Sequence, residues 1–467
     1  MLKSALATLV LASSFLFSQQ IAQITPGTAV ERELKGGESQ SFQTSLSAGQ
    51  FLQVMVEQKG VDVEVILFGP DGNRISHMDS ANGMWGPERI VAIAGIAGAY
   101  RIQVDSSDNA APAGRYEISL VERDATAADK NLISAEQARE QAQDLVAQGT
   151  ADSLKAAIEK FNDALRYYQT SPDRYWHALV LFSMGSTFAQ LNEFRKAADF
   201  YQQALPLFQS LGEQRLEASS LNNLGGAYDV LGDMQKALDY YDQALGRARA
   251  VGDTSTEASA LNNIGKIYAD MADWQKAVEY YNQAVPMFHA LGDQNAEAIA
   301  LVNIGTNYSD LGEPEPAFDY LQRSLKLRET TGDKEGQADT LERMGPVYVA
   351  LGQAPKAIQA YEQALALRRV ANNRWRTGMT LRRLALAYSS QGDQEKALSY
   401  LQQSLELLKT AEDPREQGIT LDGFGDIYNL TSQPQKAIAY YQQALALQQA
   451  VSDLDDEVRA HEGIARA

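Results

Sequence analysis

Along most of this chain apolar residues recur at spacings of three and four. Between Leu221 and Ala260, Leu221, Leu224, Gly225 and Tyr228 trace one side of a helix, and Ala237, Tyr240, Tyr241, Ala244, Leu245 and Ala248 trace another. Leu231-Gly232-Asp233 and Val251-Gly252-Asp253 close the two stretches. Glycine suits the left-handed residue after a helix end, and aspartate caps the next start. The predicted unit is therefore a helical hairpin. The pattern returns 40 residues later, at Leu261 to Ala300, and keeps register to the end of the chain. Its aromatic recurs as Phe188, Tyr228, Tyr268, Tyr308, Tyr348, Tyr388 and Tyr428, its alanine as Ala197, Ala237, Ala277, Ala317, Ala357, Ala397 and Ala437. A fixed period over so many copies predicts a right-handed superhelical α-solenoid, with seven repeats over 181–460 and the start of an incomplete one at 461–467. Pro206, Pro286 and Pro346 fall inside these helices, where each is expected to kink or thin the helix.

Before the repeats the helical spacing vanishes. Over 24–122, alternating runs stand between turn signals: Phe51 to Glu57, Val61 to Phe68, Arg89 to Ile93, Tyr100 to Val104 and Tyr116 to Val121. They predict a jelly-roll-like all-β sandwich, so the chain as a whole is multidomain. A polar, alanine-rich linker is expected over 123–137, with Ser134 and Gln137 at capping-box spacing. A degenerate capping repeat follows over 138–180, in which Ala157, Phe161, Ala164 and Leu165 keep register but Gln148 replaces the tyrosine. At the other end, residues 1–18 read as a signal peptide: Lys3 precedes the uncharged run Ala5 to Phe17. That run falls short of the roughly 20 apolar residues a spanning helix needs. The expectation is an exported protein, periplasmic or extracellular, with no membrane span in the mature chain.

Composition narrows the chemistry. A formal charge of −19 argues against nucleic acid and anionic membrane partners, and zero cysteines exclude disulfides and thiol chemistry. His77, His177, His289 and His461 are dispersed without metal-ligand spacing. Asp62, Asp71 and Asp79 suit turns and surface better than a calcium site. Neither a catalytic constellation nor a cofactor motif is present, and the expectation is a protein that is not an enzyme.

Leu224, Gly225, Tyr228, Ala237, Tyr241 and Ala244 match the signature of the tetratricopeptide repeat in type and order. The chain resembles that family from about Ala138 onward, with longer repeats than the usual 34 residues or so. The strings GGESQSF, AGQFLQVMVEQ, VDVEVILFGPDG, GAYRIQV and AGRYEISL resemble the bacterial pre-peptidase C-terminal domain. The combination is similar to the non-catalytic part of CHAT-domain proteins, whose caspase-like module would supply a His and Cys pair. These resemblances imply a scaffold that binds a peptide or protein in its concave groove. The alternatives are the sensing part of a protease whose catalytic domain is absent from this chain, and a glycan or cell-wall anchor acting through the sandwich.

The residues before each signature pair run Ser183, Asn223, Asn263, Asn303, Arg343, Arg383 and Gly423. In the resembling family, asparagine here often holds a peptide backbone, and an amide does offer both a donor and an acceptor. Arg343, Arg382 and Arg383 form a basic cluster, with Arg374 and Arg376 close by. Guanidinium groups can clamp a carboxylate, so the expected ligand carries an acidic segment or a C-terminal carboxylate. The competing reading has the asparagines capping and packing, and the arginines paired with Glu342 and Asp339.

Overall fold

The structure is a computed structural model that describes residues 21–79, 85–106, 113–451 and 454–467. The expected signal peptide, residues 1–18, lies outside the described residues. The chain divides after Leu231 into two compact units.

The first unit begins with nine strands: β1 (Ala22–Gln23), β2 (Val30–Leu34), β3 (Ser39–Leu46), β4 (Gln50–Lys59), β5 (Glu64–Phe68), β6 (Arg74–Met78), β7 (Trp85–Ile93), β8 (Gly98–Asp105) and β9 (Gly114–Asp124). They form a five-stranded sheet ordered β1-β3-β8-β5-β6 and a four-stranded sheet ordered β2-β9-β4-β7. Alternation sets the inner faces: Phe42, Val65, Ile102 and Val104 of one sheet share a core with Leu52, Val54, Ile90 and Ile118 of the other. In β4 and β7 the opposite face is apolar as well. Phe51 and Val91 bury against Leu132.

Leu132 belongs to a helix, which corrects the expected linker. Strand β9 runs to Asp124, and α1 (Ala127–Ala147) starts after two intervening residues. Its cap is Thr126 with Asp129, not Ser134 with Gln137. Leu132 and Ile133 of α1, with Ala125 just before it, pack on the outer face of the four-stranded sheet, while Ala127 and Ala128 are exposed. Four more helices complete the unit: α2 (Ala151–Tyr168), α3 (Arg174–Gln190), α4 (Phe194–Leu211) and α5 (Gln214–Val230).

A buried ionic cluster joins sheet to helices. Arg89 of β7 donates through Nε to Glu136 Oε1 of α1 at 2.7 Å, and Arg139 Nε donates to Glu136 Oε2 at 2.9 Å. The Tyr168 hydroxyl donates to Glu136 Oε1 at 2.7 Å. Both guanidiniums lie over the Trp176 ring, at 4.6 and 4.4 Å from its centroid. His77 of β6 adds a second tie, with Nδ1 2.8 Å from Glu140 and Nε2 3.1 Å from Asp144.

The second unit holds α6 (Met234–Val251), α7 (Thr254–Asp270), α8 (Trp274–Leu291), α9 (Gln294–Asp310), α10 (Pro314–Thr331), α11 (Lys334–Ala350), α12 (Ala354–Val370), α13 (Arg374–Ser390), α14 (Gln394–Thr410), α15 (Pro414–Leu430), α16 (Pro434–Ala450) and α17 (Leu454–Arg466). Aspartates cap several of them as expected: Asp253, Asp273, Asp293 and Asp393 accept from backbone amides in the first turn. Pro286 and Pro346 lie inside α8 and α11, which continue past them. In several hairpins, such as those of Gly265, Gly345 and Gly425, the signature glycine admits the tyrosine of the second helix. A Cβ on Gly265 would sit 3.0 Å from the Tyr281 ring. Where serine replaces the small alanine, its hydroxyl is satisfied: Ser324 donates to the Ala298 carbonyl at 2.8 Å and Ser404 to that of Gly378 at 2.7 Å.

Candidate functional site

In the second unit the first helices of successive hairpins approach one another (α7 with α9, α9 with α11, α13 with α15), whereas no two successive second helices come as close. Closer spacing on one side makes that side the inner wall of the stack. Helical periodicity then puts residues 299, 302, 303, 306 and 310 of α9, and their counterparts in the other first helices, within about 120° of helix surface.

Asn263, Asn303 and Arg383 are half-buried at this wall, and Arg343 is exposed. Asn303 lies one turn before Asn307, whose side-chain amide donates to the Asn303 carbonyl at 2.7 Å. Asn223 belongs to the first unit, half-buried on α5 against the Tyr201 hydroxyl, which donates to Ser186 Oγ at 3.0 Å.

The arginines are bound into the wall in the way the competing reading expects. Arg383 Nε stands 3.7 Å from Glu342 Oε2, and Arg382 donates to Glu416 Oε2 at 2.9 Å. Arg376 reaches Asp339 at 2.7 Å. Beneath them lies Arg368, 1% exposed, which pairs with Glu335, Asp339 and Glu342. Thr380 Oγ1 completes the set, donating to Glu342 Oε1 at 2.6 Å. Arg382 and Arg383 therefore hold α13 to its neighbours α15 and α11. Arg343 differs: it makes no ion pair among the described residues, although its charge offsets the upward push of burial on the Asp310 pKa.

Apolar side chains on the same wall were missed from the sequence. Ile299 is 41% exposed and Leu386 37%, and Val349, at the edge of that stripe, is 50% exposed. Pro346, one turn from Arg343, is exposed beside them. Their signal was available: all four break the polar character expected of a solvated helix face, at positions that no packing partner requires. Lys266 occupies the corresponding position of α7, where it pairs with Asp270 at 2.7 Å, and Asp426 that of α15. The wall thus changes from amides and charge at α7 to an apolar stretch at α11 and α13, then to acid at α15.

The chemistry this arrangement offers is recognition. Asparagine amides can pair with peptide groups, the apolar stretch can take aliphatic side chains, and Arg343 supplies an unpaired cation. Asp71 serves its own turn, accepting from the Asn73 amide at 3.1 Å and its side chain at 2.8 Å.

The family model described as tetratricopeptide repeat matches residues 145–210, 216–290, 256–330 and 332–410, more than half of the chain. A second model of the same description matches 422–450. No curated protein matches the chain in sequence. Among solved structures, the apo form of the quorum sensor NprR from B. thuringiensis is 16% identical, covers 68% of this chain and 88% of its own, and superposes with a TM-score of 0.56. That likeness shows a shared fold. Aspartyl phosphate phosphatase F from Bacillus subtilis is 16% identical over 60% of this chain and 72% of its own, with a TM-score of 0.49. A putative kinesin light chain from Podosopora anserina with nearly identical TPR-like repeats is 18% identical over 42% and 96%, with a TM-score of 0.37.

Proposed function

We propose that this chain, which belongs to the tetratricopeptide repeat family, is a non-catalytic scaffold that holds an extended peptide or protein segment along the wall of its first helices. The observation that carries the reading is the combination of exposed Ile299, Val349 and Leu386 with the unpaired Arg343 on that wall. Exposed aliphatic side chains cost solvation free energy unless a partner covers them. An unpaired arginine beside them selects a partner with a carboxylate. The ligand is an extended segment with one or two aliphatic side chains and an acidic residue or C-terminus. Its affinity falls in the micromolar range, because ordering a flexible peptide opposes the contacts it makes.

A displayed library of random peptides, selected on the whole protein and counter-selected on an Asn263→Ala, Asn303→Ala, Leu386→Glu variant, tests this. Enriched peptides carrying aliphatic and acidic residues support the reading. Sequences retained equally by the variant overturn it. Export is a separate part of the proposal and rests on the apolar run at Ala5 to Phe17. Fractionation of the producing cell checks it, with the protein expected outside the cytoplasm and shortened at its N-terminus.

A further inference from the structure

On the opposite side from the wall, where second helices stand apart, a cavity of about 480 Å³ opens between α12 and α14 over α13. That volume lies within the range of small-molecule sites. Arg369, Arg374, Thr377, Leu381, Glu406 and Leu407 are among its lining residues, with Gln402 and Gln403 at the rim.

The repeat supplies its own control for this cavity. At earlier junctions the polar residue near the end of the second helix is bonded to a glutamate eight positions later. Gln209 donates to Glu217 at 3.1 Å, Arg249 to Glu257 at 2.7 Å, and His289 Nδ1 lies 3.0 Å from Glu297. At two later junctions the glutamate becomes glutamine, and Gln337 and Gln417 donate to the carbonyls of Arg328 and Leu408. At this junction alone the residue is short. Thr377 turns its hydroxyl to the Asn373 carbonyl at 2.6 Å and reaches nothing across the gap.

Arg369 is thereby left without the carboxylate that Arg249 has. Neither Arg369 nor Arg374 forms an ion pair among the described residues, and both are exposed at the cavity. The single carboxylate in the lining, Glu406, accepts from Gln402 at 3.0 Å. Two guanidiniums against one carboxylate make the cavity cationic in a chain of net charge −19. Its floor of Leu381 and Leu407 is apolar.

We infer that this cavity is a second binding site, distinct from the wall, for a small amphipathic carboxylate: an acid head held by Arg369 and Arg374 and a short aliphatic body laid on Leu381 and Leu407. A guanidinium takes a carboxylate through two parallel hydrogen bonds. The missing glutamate is the group such a ligand replaces. The head accounts for the arginines and the body for the leucines, so neither a simple anion nor a neutral lipid satisfies the whole lining.

Calorimetric titration of the whole protein with octanoate, 1-octanol and inorganic phosphate tests the inference. Octanoate is expected to bind at least tenfold more tightly than either of the others. Thr377→Glu restores the residue type found at Glu257 and Glu297, and should close the site at least tenfold to octanoate while the thermal midpoint stays within about 2 °C of wild type. Arg369→Gln should weaken octanoate similarly, and in the Thr377→Glu background it should have no further effect. Equal binding of octanoate and octanol, equal binding of octanoate and phosphate, or undiminished binding by Thr377→Glu at unchanged midpoint would each overturn the inference.

Discussion

Nε of Arg383 lies 3.7 Å from Oε2 of Glu342, and the two side chains come from the first helices of adjacent hairpins. The carboxylate is shared. Glu342 Oε1 also accepts from Thr380 at 2.6 Å and stands 3.5 Å from Nε of the buried Arg368. Glu342→Gln removes a charge from a nearly closed network while Arg368 keeps Glu335 and Asp339, so the expected loss is about 2 kcal/mol, below that of a fully orphaned buried ion. Urea unfolding followed by helical circular dichroism measures it. Arg343→Glu, by contrast, should leave stability within about 0.5 kcal/mol, because exposed charges contribute little. The two variants separate wall integrity from ligand capture.

Gly185 faces Tyr201 so closely that a Cβ would lie 2.7 Å from the ring. Gly185→Ala gains helix propensity but drives a methyl into the ring, and a net loss of about 2 kcal/mol is expected. A later hairpin has already made both changes, with Ala385 and Leu401 together in one buried cluster. In a Tyr201→Leu background, Gly185→Ala should therefore cost less than half as much. A double-mutant cycle on thermal or urea midpoints reads the coupling, and additive effects would show that ring and glycine do not constrain each other.

The hairpins were legible because backbone and packing rules act locally and repeat. Glycine and aspartate marked helix ends, and the period of 40 residues put Ala277 opposite its neighbours without any tertiary knowledge. In the sandwich, β4, β5, β7, β8 and β9 followed from alternation, while β3 was harder: Ser39, Gln40, Ser41, Gln43 and Thr44 leave only Phe42 and Leu46 as apolar marks. The start of α1 at Ala127, ahead of the expected Ser134 cap, was missed for a different reason. Its amphipathic character is weak alone, and only the second apolar face of the four-stranded sheet, carrying Phe51 and Val91, shows what it covers. At the wall, sequence order placed Arg343, Arg382 and Arg383 together but could not separate a free cation from paired ones. That separation depends on Glu342 and Glu416 reaching across from neighbouring first helices.

Glu136 sits at the centre of the cluster that ties sheet to helix, 4% exposed and bonded to Arg89, Arg139 and Tyr168. The two guanidiniums outweigh the desolvation of its carboxylate and hold its pKa below the usual range. Glu136→Gln would leave two buried cations facing each other across a neutral amide. The expected loss is about 3 kcal/mol. Because both cations lie over Trp176, the change should also shift the tryptophan emission. Unaltered emission together with unaltered stability would show that the cluster does not brace the sheet against α1.

Asp422 of α15 has the opposite electrostatics. Its side chain is fully buried, Oδ2 accepts from Gln448 Nε2 at 2.8 Å, and Oδ1 has no hydrogen-bond partner among the described residues. Burial pushes its pKa up to about 6; the Gln448 hydrogen bond and the Arg459 charge oppose that, while Asp426 and Asp456 add to it. An unfolded aspartate titrates near 3.9. Between those values the folded protein binds more protons than the unfolded chain, so stability falls as pH rises through the window and the penalty is complete above it. Asp422→Asn removes the buried charge and keeps an acceptor for Gln448. The variant should be more stable than wild type above pH 7, by about 2 kcal/mol, and the difference should shrink towards pH 4. Thermal midpoints of both proteins from pH 4.5 to 7.5 provide the measurement. A difference that stays constant across that range would mean the Asp422 carboxyl does not titrate there.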